Sequence, residues 1–217
     1  MSEDQLVLDR LAASGGDGAE DSAKRRQIVE GARQIFLARG FDAASMADIA
    51  KAAGVSKGTL YVYFKDKEEL FGAIVMAECV GQAEGIFDLD PADPDVADAL
   101  TRLGIAYINF LCRPEKASAL RTVIAIADRM PALGKTFYET GPSTGIRRLA
   151  DYLKAQTDAG VLTVDDPEVA AAQFMETCQG TLFKPVLFNF APAPSAEHVK
   201  HVVDIAVRVF MAAYRVK

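Results

Sequence analysis

The chain has 217 residues, half of them apolar, and a net charge of −6. This length accommodates one or two domains, and the absence of any apolar run of about 18 residues excludes an α-helical membrane span. The three cysteines are far apart and odd in number, which excludes a disulfide scaffold, and the first residues lack the basic start of a secretory signal. We therefore expect a cytoplasmic protein with reduced thiols and no membrane partner.

Residues 1–23 are rich in acidic and small polar side chains. They carry six acids and one arginine, a net charge of −5, and include the stretch SGGDGAEDSA. Such a composition buries too little apolar surface to balance the entropy of ordering the chain. We expect a flexible acidic tail over 1–23, followed by a first helix in RRQIVEGARQIFLARGF.

The stretch SMADIAKAAGVSKGTLYVYFKDKEEL, residues 45–70, predicts two short helices joined by a tight turn. Ser45 is a favourable N-cap for a helix over about 46–53. Gly54 is able to adopt the left-handed conformation that ends a helix. Ser56 then caps a second helix over about 57–64. Two helices joined by a short turn that contains glycine are typical of the DNA-binding helix-turn-helix.

The second helix of this pair has a polar outer surface. Leu60 and Phe64 lie four residues apart and are expected to pack inward. Gly58 costs about 1 kcal/mol of helix stability relative to alanine, and a glycine near a helix N-terminus lets phosphates or base edges come close. Lys57 is able to reach guanine O6 and N7, and the methyl group of Thr59 is able to meet a thymine methyl.

Charge is distributed unevenly along the chain. Residues 24–71 carry nine basic and six acidic side chains, a net charge of +3, whereas residues 72–217 carry −4. A basic module on an acidic body is the electrostatic pattern of a nucleic-acid-binding domain attached to a second domain. Chance clustering of solvated charges is the alternative explanation.

Proline and glycine divide residues 72–217 into long helical segments, none of which alternates polar and apolar residues as a strand does. The fold is therefore predicted to be all-α, with an N-terminal three-helix helix-turn-helix DNA-binding domain and a C-terminal helical domain for ligand binding and dimerisation. The helices after the first three are expected over approximately 68–87, 95–112, 115–129, 132–158, 166–188 and 195–215.

The last two predicted helices are apolar on more than one face, and a terminal helix of this kind needs two partners. We expect the helices near 166–188 and 195–215 to pair with their symmetry mates as a four-helix interface in a homodimer. A thick monomer core is the alternative. Pro185 is expected to kink the end of the first of the two. The apolar excess in that helix consists of Phe174, Met175, Cys178, Leu182 and Phe183.

The other helices of the body are expected to enclose a pocket. Its candidate lining is aromatic or contains methionine and carries little charge, which favours a small apolar or aromatic effector. A set of this kind at helical spacing also fits an ordinary hydrophobic core, which is the alternative role. The candidates are Tyr107, Phe110, Met130, Phe137, Tyr138, Phe174 and Met175.

Residues 24–72, and AGVSKGTLYVYFKDKEEL in particular, resemble the TetR family of one-component bacterial regulators. The resemblance implies a homodimeric repressor that binds a palindromic double-stranded DNA operator and is released by a small-molecule effector, with no catalytic residue, metal or cofactor. Many members have tyrosine and histidine where this chain has Val62 and Tyr63, which affects the sequence preference and not the fold. Carried over by position, the DNA contacts are Ser45, Tyr61, Tyr63 and Lys67 at phosphates, and Lys57, Gly58 and Thr59 at base edges.

Two other functions are open at this point. A helical interaction protein would use 45–70 as a protein-binding surface. A small hydrolase would use Ser143, because GPSTG matches the G-x-S-x-G pattern of a nucleophilic serine, and Asp165 or Asp166 and His198 follow in the order of a hydrolase triad. That pattern requires a preceding buried strand, and none is predicted here.

His198 and His201 are one helical turn apart, with acidic residues nearby. Two histidines at this spacing without a second cluster of ligands are poor evidence for a metal site. We expect them at a surface or an interface.

Overall fold

The structure is a computed structural model that describes residues 18–80 and 85–216. In this part of the chain it contains eleven helices and no β-strand, and the predicted all-α fold is confirmed. The helices are α1 (Gly18–Ala43), α2 (Met46–Ala52), α3 (Lys57–Tyr63), α4 (Lys67–Val80), α5 (Val96–Leu111), α6 (Pro114–Ile126), α7 (Pro131–Thr140), α8 (Pro142–Asp158), α9 (Pro167–Gln179), α10 (Phe183–Leu187) and α11 (Ala196–Tyr214).

The chain divides into two compact units. The described residues of Met1–Glu78 form the N-terminal unit together with Ala125–Lys135, and the rest forms the C-terminal unit. The sequence assigned 125–135 to the body, and local pattern gives no sign of its actual position. Within the N-terminal unit, Arg129 forms an exposed ion pair with Asp42, at 3.1 Å between Nη2 and Oδ1. The side chain of Leu133 is buried there beside Gly72.

The first helix begins earlier than the composition indicated. Residues 18–23, predicted as part of the tail, belong to α1, and residues 1–17 of that predicted tail lie outside the described residues. Asp21 lies near the N-terminus of α1, where an acidic side chain interacts favourably with the positive end of the helix dipole.

Two of the predicted helices are each broken in two. The segment predicted over 132–158 is α7 followed by α8, because Gly141 has a non-helical ψ of −93° and Pro142 has no backbone N–H to donate. The segment predicted over 166–188 is α9 followed by α10, because Gly180 has a φ of 26° and ends α9. Pro185, expected to kink the end of one long helix, lies within the short α10.

The helix predicted over 68–87 also differs from the one observed. It ends as α4 at Val80, and residues 85–87 form a turn, with 81–84 outside the described residues.

Helix α9 is central to the C-terminal unit, where it packs against α5, α8 and α11. Phe174 of α9 meets Phe210 of α11 edge to face, with ring centroids 5.7 Å apart. Helices α5 and α11 approach closely at Gly104, where an added Cβ would lie 2.8 Å from Cγ1 of Val203. The core of this unit therefore combines the consecutive helices α8 and α9 with α5 and α11, which are far apart in sequence.

The N-terminal unit depends on a close contact between α1 and the end of α2. A Cβ added to Gly31 would lie 2.6 Å from the Cα and the backbone N of Ala53, so only glycine fits there. Farther along α1, the rings of Phe36 and Phe41 form a cluster with the ring of Phe71 on α4, with centroids 5.4 to 5.5 Å apart. The contact at Gly31 fixes α2 on α1, and the aromatic cluster fixes α4 on α1.

Replacing Gly31 with alanine is expected to destabilise the N-terminal unit by about 1–3 kcal/mol, because the new methyl group overlaps backbone atoms that cannot rotate away. Urea denaturation followed by circular dichroism measures the change. Gly134→Ala is the matched control, because its added Cβ would lie 3.6 Å from Cβ of Ala127, an ordinary contact. Equal stability of Gly31→Ala and wild type would show that α1 and α2 do not touch in this way.

Candidate nucleic-acid interface

Helix α2 begins with a side-chain cap. The Ser45 hydroxyl accepts from the backbone N–H of Asp48 at 3.2 Å and donates to the Asp48 carboxylate at 2.6 Å. The carboxylate also pairs with Arg39 at 3.0 Å. The hydrogen bond from Ser45, followed by the charge of Arg39, lowers the pKa of Asp48. Because its single O–H is engaged with Asp48, Ser45 has no hydroxyl proton left for a phosphate in this arrangement.

The turn between α2 and α3 is held from both sides. Gly54 has a φ of 64°, a left-handed conformation that suits glycine. The Gln27 side chain of α1 donates from Nε2 to the Ala53 carbonyl at 2.7 Å, and so satisfies one of the free carbonyls at the end of α2. The path of the chain out of α2 is thereby fixed.

Helix α3 is anchored by its cap and by two apolar side chains. The Ser56 hydroxyl accepts from the backbone N–H of Thr59 at 3.0 Å and lies 2.8 Å from the Thr59 hydroxyl. Leu60 is fully buried, and Phe64, which follows the last turn, is 1 % exposed. The Arg25 guanidinium of α1 covers the Phe64 ring at 5.0 Å from its centroid. One face of α3 therefore packs inward, as predicted for Leu60 and Phe64.

The opposite face of α3 is open to solvent. Lys57, Gly58 and Tyr61 are exposed, and the Thr59 side chain is half-buried beside its cap. Val62 is 81 % exposed, which is unusual for a β-branched apolar side chain, and it is not among the contacts predicted from the sequence. Its position four residues after Gly58 was sufficient to place it on the outer face.

Tyr63, predicted to contact a phosphate, is already hydrogen-bonded within the unit. Its hydroxyl donates to the Asp21 carboxylate at 2.6 Å. The two residues are 42 positions apart, and Asp21 lies in the segment that the sequence assigned to the tail. No local pattern links the two residues, so the contact with Asp21 could not be predicted from the sequence.

Lys67, also predicted to contact a phosphate, is engaged with backbone carbonyls. Its ammonium lies 2.9 Å from the Phe41 carbonyl oxygen, 3.2 Å from that of Asp42 and 3.5 Å from that of Ala44. It also lies 4.6 Å from the centroid of the Phe41 ring. An ammonium has three N–H donors, so these carbonyls occupy all of them. Lys67 ties the start of α4 to the end of α1.

The predicted pocket residues fall into different environments. Met130 belongs to the N-terminal unit and the other six to the C-terminal unit. Phe174 and Met175 are buried in the core of that unit, which is the alternative role considered for the set. Tyr138 is exposed, and Tyr107, Phe110 and Phe137 are half-buried. Burial raises the pKa of Tyr107, whose hydroxyl accepts from Gln179 at 3.1 Å.

The apolar excess expected at a dimer interface is partly used inside the chain. Phe174, Met175, Cys178, Leu182 and Phe183 are all buried in the core of one chain, so they do not require a second copy, contrary to the argument from sequence. Other large apolar side chains on the last three helices and the connection between them do remain exposed. These are Val169, at 49 %, Phe188, at 76 %, Phe190, at 86 %, and Val209, at 56 %.

The geometry of Ser143 does not match a nucleophilic serine. Ser143 is in the first turn of α8, and the element that precedes it is helix α7, whereas the pattern requires a strand. Asp166 caps α9 by accepting from the backbone N–H of Val169, and His198 is exposed on α11. Ser143 and His198 therefore lie in helices, and Asp166 serves as a helix cap.

Within the described residues, no three side chains of His, Cys, Asp or Glu are grouped so as to hold a metal ion. His198 and His201 line an open depression on α11 together with Ser195, Glu197, Lys200 and Asp204. None of the helices described here combines the length and apolar character that crossing a bilayer requires.

Comparison with known proteins gives matches over both units. The family model described as "Bacterial regulatory proteins, tetR family" matches residues 28–74, and that described as "AefR-like transcriptional repressor, C-terminal domain" matches 98–216. Among solved structures, a TetR-family transcriptional regulator from Mesorhizobium loti superposes with a TM-score of 0.84 at 30 % identity, covering 92 % of this chain and all of that one. The flavonoid-responsive regulator FrrA superposes with a TM-score of 0.74 at 34 % identity, and the match covers 89 % of this chain and 98 % of FrrA.

Curated relatives match over shorter stretches. The transcriptional repressor Rv1474c of Mycobacterium tuberculosis is 37 % identical over 94 residues, which cover 39 % of this chain and 50 % of that protein. The repressor BepR of Brucella suis is 29 % identical over 107 residues, which cover 49 % and 51 %. The chain thus spans about half the length of these two relatives.

Lys67→Met is expected to reduce the free energy of unfolding by about 1–3 kcal/mol, because it leaves three carbonyls at the end of α1 without their charged donor. The slope of log affinity for duplex DNA against log salt concentration is expected to be unchanged, whereas loss of a phosphate contact would flatten it by about one unit. Chemical denaturation and fluorescence anisotropy measure the two quantities. Lys51→Met, at an exposed lysine of α2, is the control for stability. A flatter slope with unchanged stability would return Lys67 to the DNA contacts.

Proposed function

Because the chain belongs to the TetR family of bacterial regulators, whose members are DNA-binding transcription factors and not enzymes, we propose that it is a ligand-responsive repressor. It binds a palindromic operator as a homodimer, with one α3 in each of two successive major grooves. Its relatives Rv1474c and BepR are named as repressors, which supports the direction of regulation.

The observation that carries the proposal is the two-sided character of α3. Leu60 and Phe64 hold one side in the core, while Lys57, Gly58, Tyr61 and Val62 face solvent on the other. A helix held in this way can enter a major groove while Leu60 and Phe64 keep their contacts with the core. The net charge of +3 over 24–71 attracts the phosphate backbone.

We assign different roles to the outer residues of α3. Lys57 and Gly58 at its start, together with Thr59, face base edges, where the absence of a side chain at Gly58 permits close approach. Tyr61 donates its hydroxyl to a phosphate. Val62 is added to the predicted set, since its exposed methyl groups suit the methyl group of a thymine.

The homodimer is supported by the exposed apolar side chains of the C-terminal unit. Stable interfaces have an apolar centre with aromatic anchors, and Val169 of α9 and Val209 of α11 are exposed on the two helices predicted to pair. Phe188 and Phe190, between α10 and α11, supply exposed aromatic rings. Two copies related by a twofold axis would present two α3 helices to the two halves of a palindrome.

An apolar or aromatic effector is supported by two observations. FrrA, similar over most of the chain, is described as flavonoid-responsive, and flavonoids are aromatic. In this chain Tyr107, Phe110 and Phe137 are half-buried aromatic side chains in the C-terminal unit. The effector releases DNA by its greater affinity for the conformation in which the two α3 helices do not match the operator.

Selection of bound duplexes from a random pool tests the function, and Gly58→Ala tests how α3 is used. Alanine at Gly58 is expected to stabilise the fold by about 0.5–1 kcal/mol, because alanine has a higher helix propensity than glycine. The added Cβ fits without overlap, since its contact is with the Ser56 hydroxyl at 3.7 Å. Affinity for the selected duplex is expected to fall by about tenfold or more, because the methyl group separates α3 from the bases. Lys57→Ala is expected to lower the same affinity. Recovery of no duplex at low salt, or full affinity of both variants, would refute DNA recognition through α3.

Val209→Asp is expected to convert the dimer into a monomer, because it places a charge at the apolar centre of the proposed interface. Light scattering coupled to gel filtration gives the mass, and anisotropy is expected to show a loss of operator affinity of about 100-fold or more, since only one half-site remains engaged at a time. Ile124→Asp, at an exposed apolar side chain of α6, is the matched control and is expected to remain dimeric. Dimeric Val209→Asp would place the interface elsewhere.

A further inference from the structure

The start of α1 lies against the end of the proposed recognition helix α3. The Tyr63 hydroxyl donates to the Asp21 carboxylate at 2.6 Å, and the Arg25 guanidinium lies 5.0 Å from the centroid of the Phe64 ring. Asp21 and Arg25 are four residues apart on α1, so they project from the same side of that helix. The contact to Tyr63 is therefore part of a packed junction between α1 and α3.

The chemistry of this junction conflicts with a phosphate contact by Tyr63. A phenol carries a single O–H donor. Tyr63 therefore cannot donate fully to the Asp21 carboxylate and to a DNA phosphate at the same time. A carboxylate and a phosphate oxygen are both anionic acceptors, so Asp21 occupies the position that the phosphate would take with respect to the hydroxyl.

The charge of Asp21 acts in the same direction. A phosphate that approached Tyr63 would meet a carboxylate of like charge at hydrogen-bonding distance from the same hydroxyl. The sequence before α1 is acidic as well, since residues 1–17 carry four acidic side chains and one arginine, a net charge of −3, opposite to the +3 of residues 24–71. The chain thus carries its own anion next to the surface that binds phosphate.

We propose that Asp21 competes intramolecularly with the DNA phosphate for the Tyr63 hydroxyl, and that this contact lowers the affinity of the free protein for DNA. The inference rests on the proposed function, since it presupposes that α3 binds duplex DNA and that Tyr63 contacts a phosphate there, as the family resemblance implies. Breaking the contact between Asp21 and Tyr63 is then part of binding. Asp21 lowers the affinity for all DNA sequences alike, because it acts on a phosphate contact and not on a base contact.

Asp21→Ala, alone and combined with Tyr63→Phe, tests the proposal. A labelled mixed-sequence duplex longer than two helical turns is titrated with each protein, and binding is followed by anisotropy at several salt concentrations. Asp21→Ala is expected to bind about three- to tenfold more tightly than wild type. Tyr63→Phe is expected to bind more weakly than wild type, and in its background the gain from Asp21→Ala is expected to be mostly lost.

Asp158→Ala is the matched control. It removes one negative charge from an exposed carboxylate of α8 that pairs with Lys154, and it leaves the junction of α1 and α3 intact. Its affinity is expected to equal that of wild type. An equal gain for Asp158→Ala, or a gain from Asp21→Ala that persists in full beside Tyr63→Phe, would show that net charge alone is responsible, and the proposal would be wrong.

Thermal unfolding without DNA tests the contact separately, on wild type, Asp21→Ala, Tyr63→Phe and the double variant. Asp21→Ala and Tyr63→Phe are each expected to lower the melting temperature, and the double variant is expected to lower it by less than the sum of the two. Additive shifts would mean that the contact is absent from the free protein. If wild type binds no duplex, the proposed function fails; if wild type binds and Asp21→Ala binds equally, only the competition fails.

Discussion

The position of α3 depends on how closely α1 and the end of α2 approach each other. Gly31 allows the backbone of Ala53 to come within a distance that any side chain would prevent. Gln27, one turn earlier on α1, donates to the carbonyl of the same Ala53. Because Gly54 then reverses the chain in a left-handed conformation, the direction of α3 follows from this contact. The outward surface of α3 is thus a consequence of packing that lies behind it.

Several polar groups of the DNA-binding unit already have partners within the protein. The hydroxyls of Ser45 and Tyr63 donate to carboxylates, and the ammonium of Lys67 is held by carbonyls. Groups of this kind preorganise the surface, but each has to exchange a partner before it contacts a phosphate. The exposed side chains of α3 face no such exchange. We therefore propose that α3 carries specific recognition and that the surrounding polar groups set its geometry.

The C-terminal unit has a complete hydrophobic core within one chain, and several large apolar side chains remain exposed on its surface. Phe174 of α9 and Phe210 of α11 pack against each other, and Gly104 lets α5 and α11 close together. What remains exposed is a smaller set of large side chains, with Phe188 and Phe190 the most accessible. An apolar surface that persists after the core is complete is characteristic of an interface. The proposed dimer therefore rests on these outer residues and not on the buried ones.

The sequence by itself determined the all-α class, the capped helices at Ser45 and Ser56, and the inward side of α3, because each depends on residues within a few positions of one another. It also contained the position of Val62, since helical periodicity places it outside. Only the tertiary structure decided the partners of Tyr63 and Lys67 and the assignment of 125–135 to the N-terminal unit. The same holds for the burial of Phe174 and Met175. Those features depend on contacts between residues that are tens of positions apart, and local propensity and periodicity carry no information about which distant side chains come into contact.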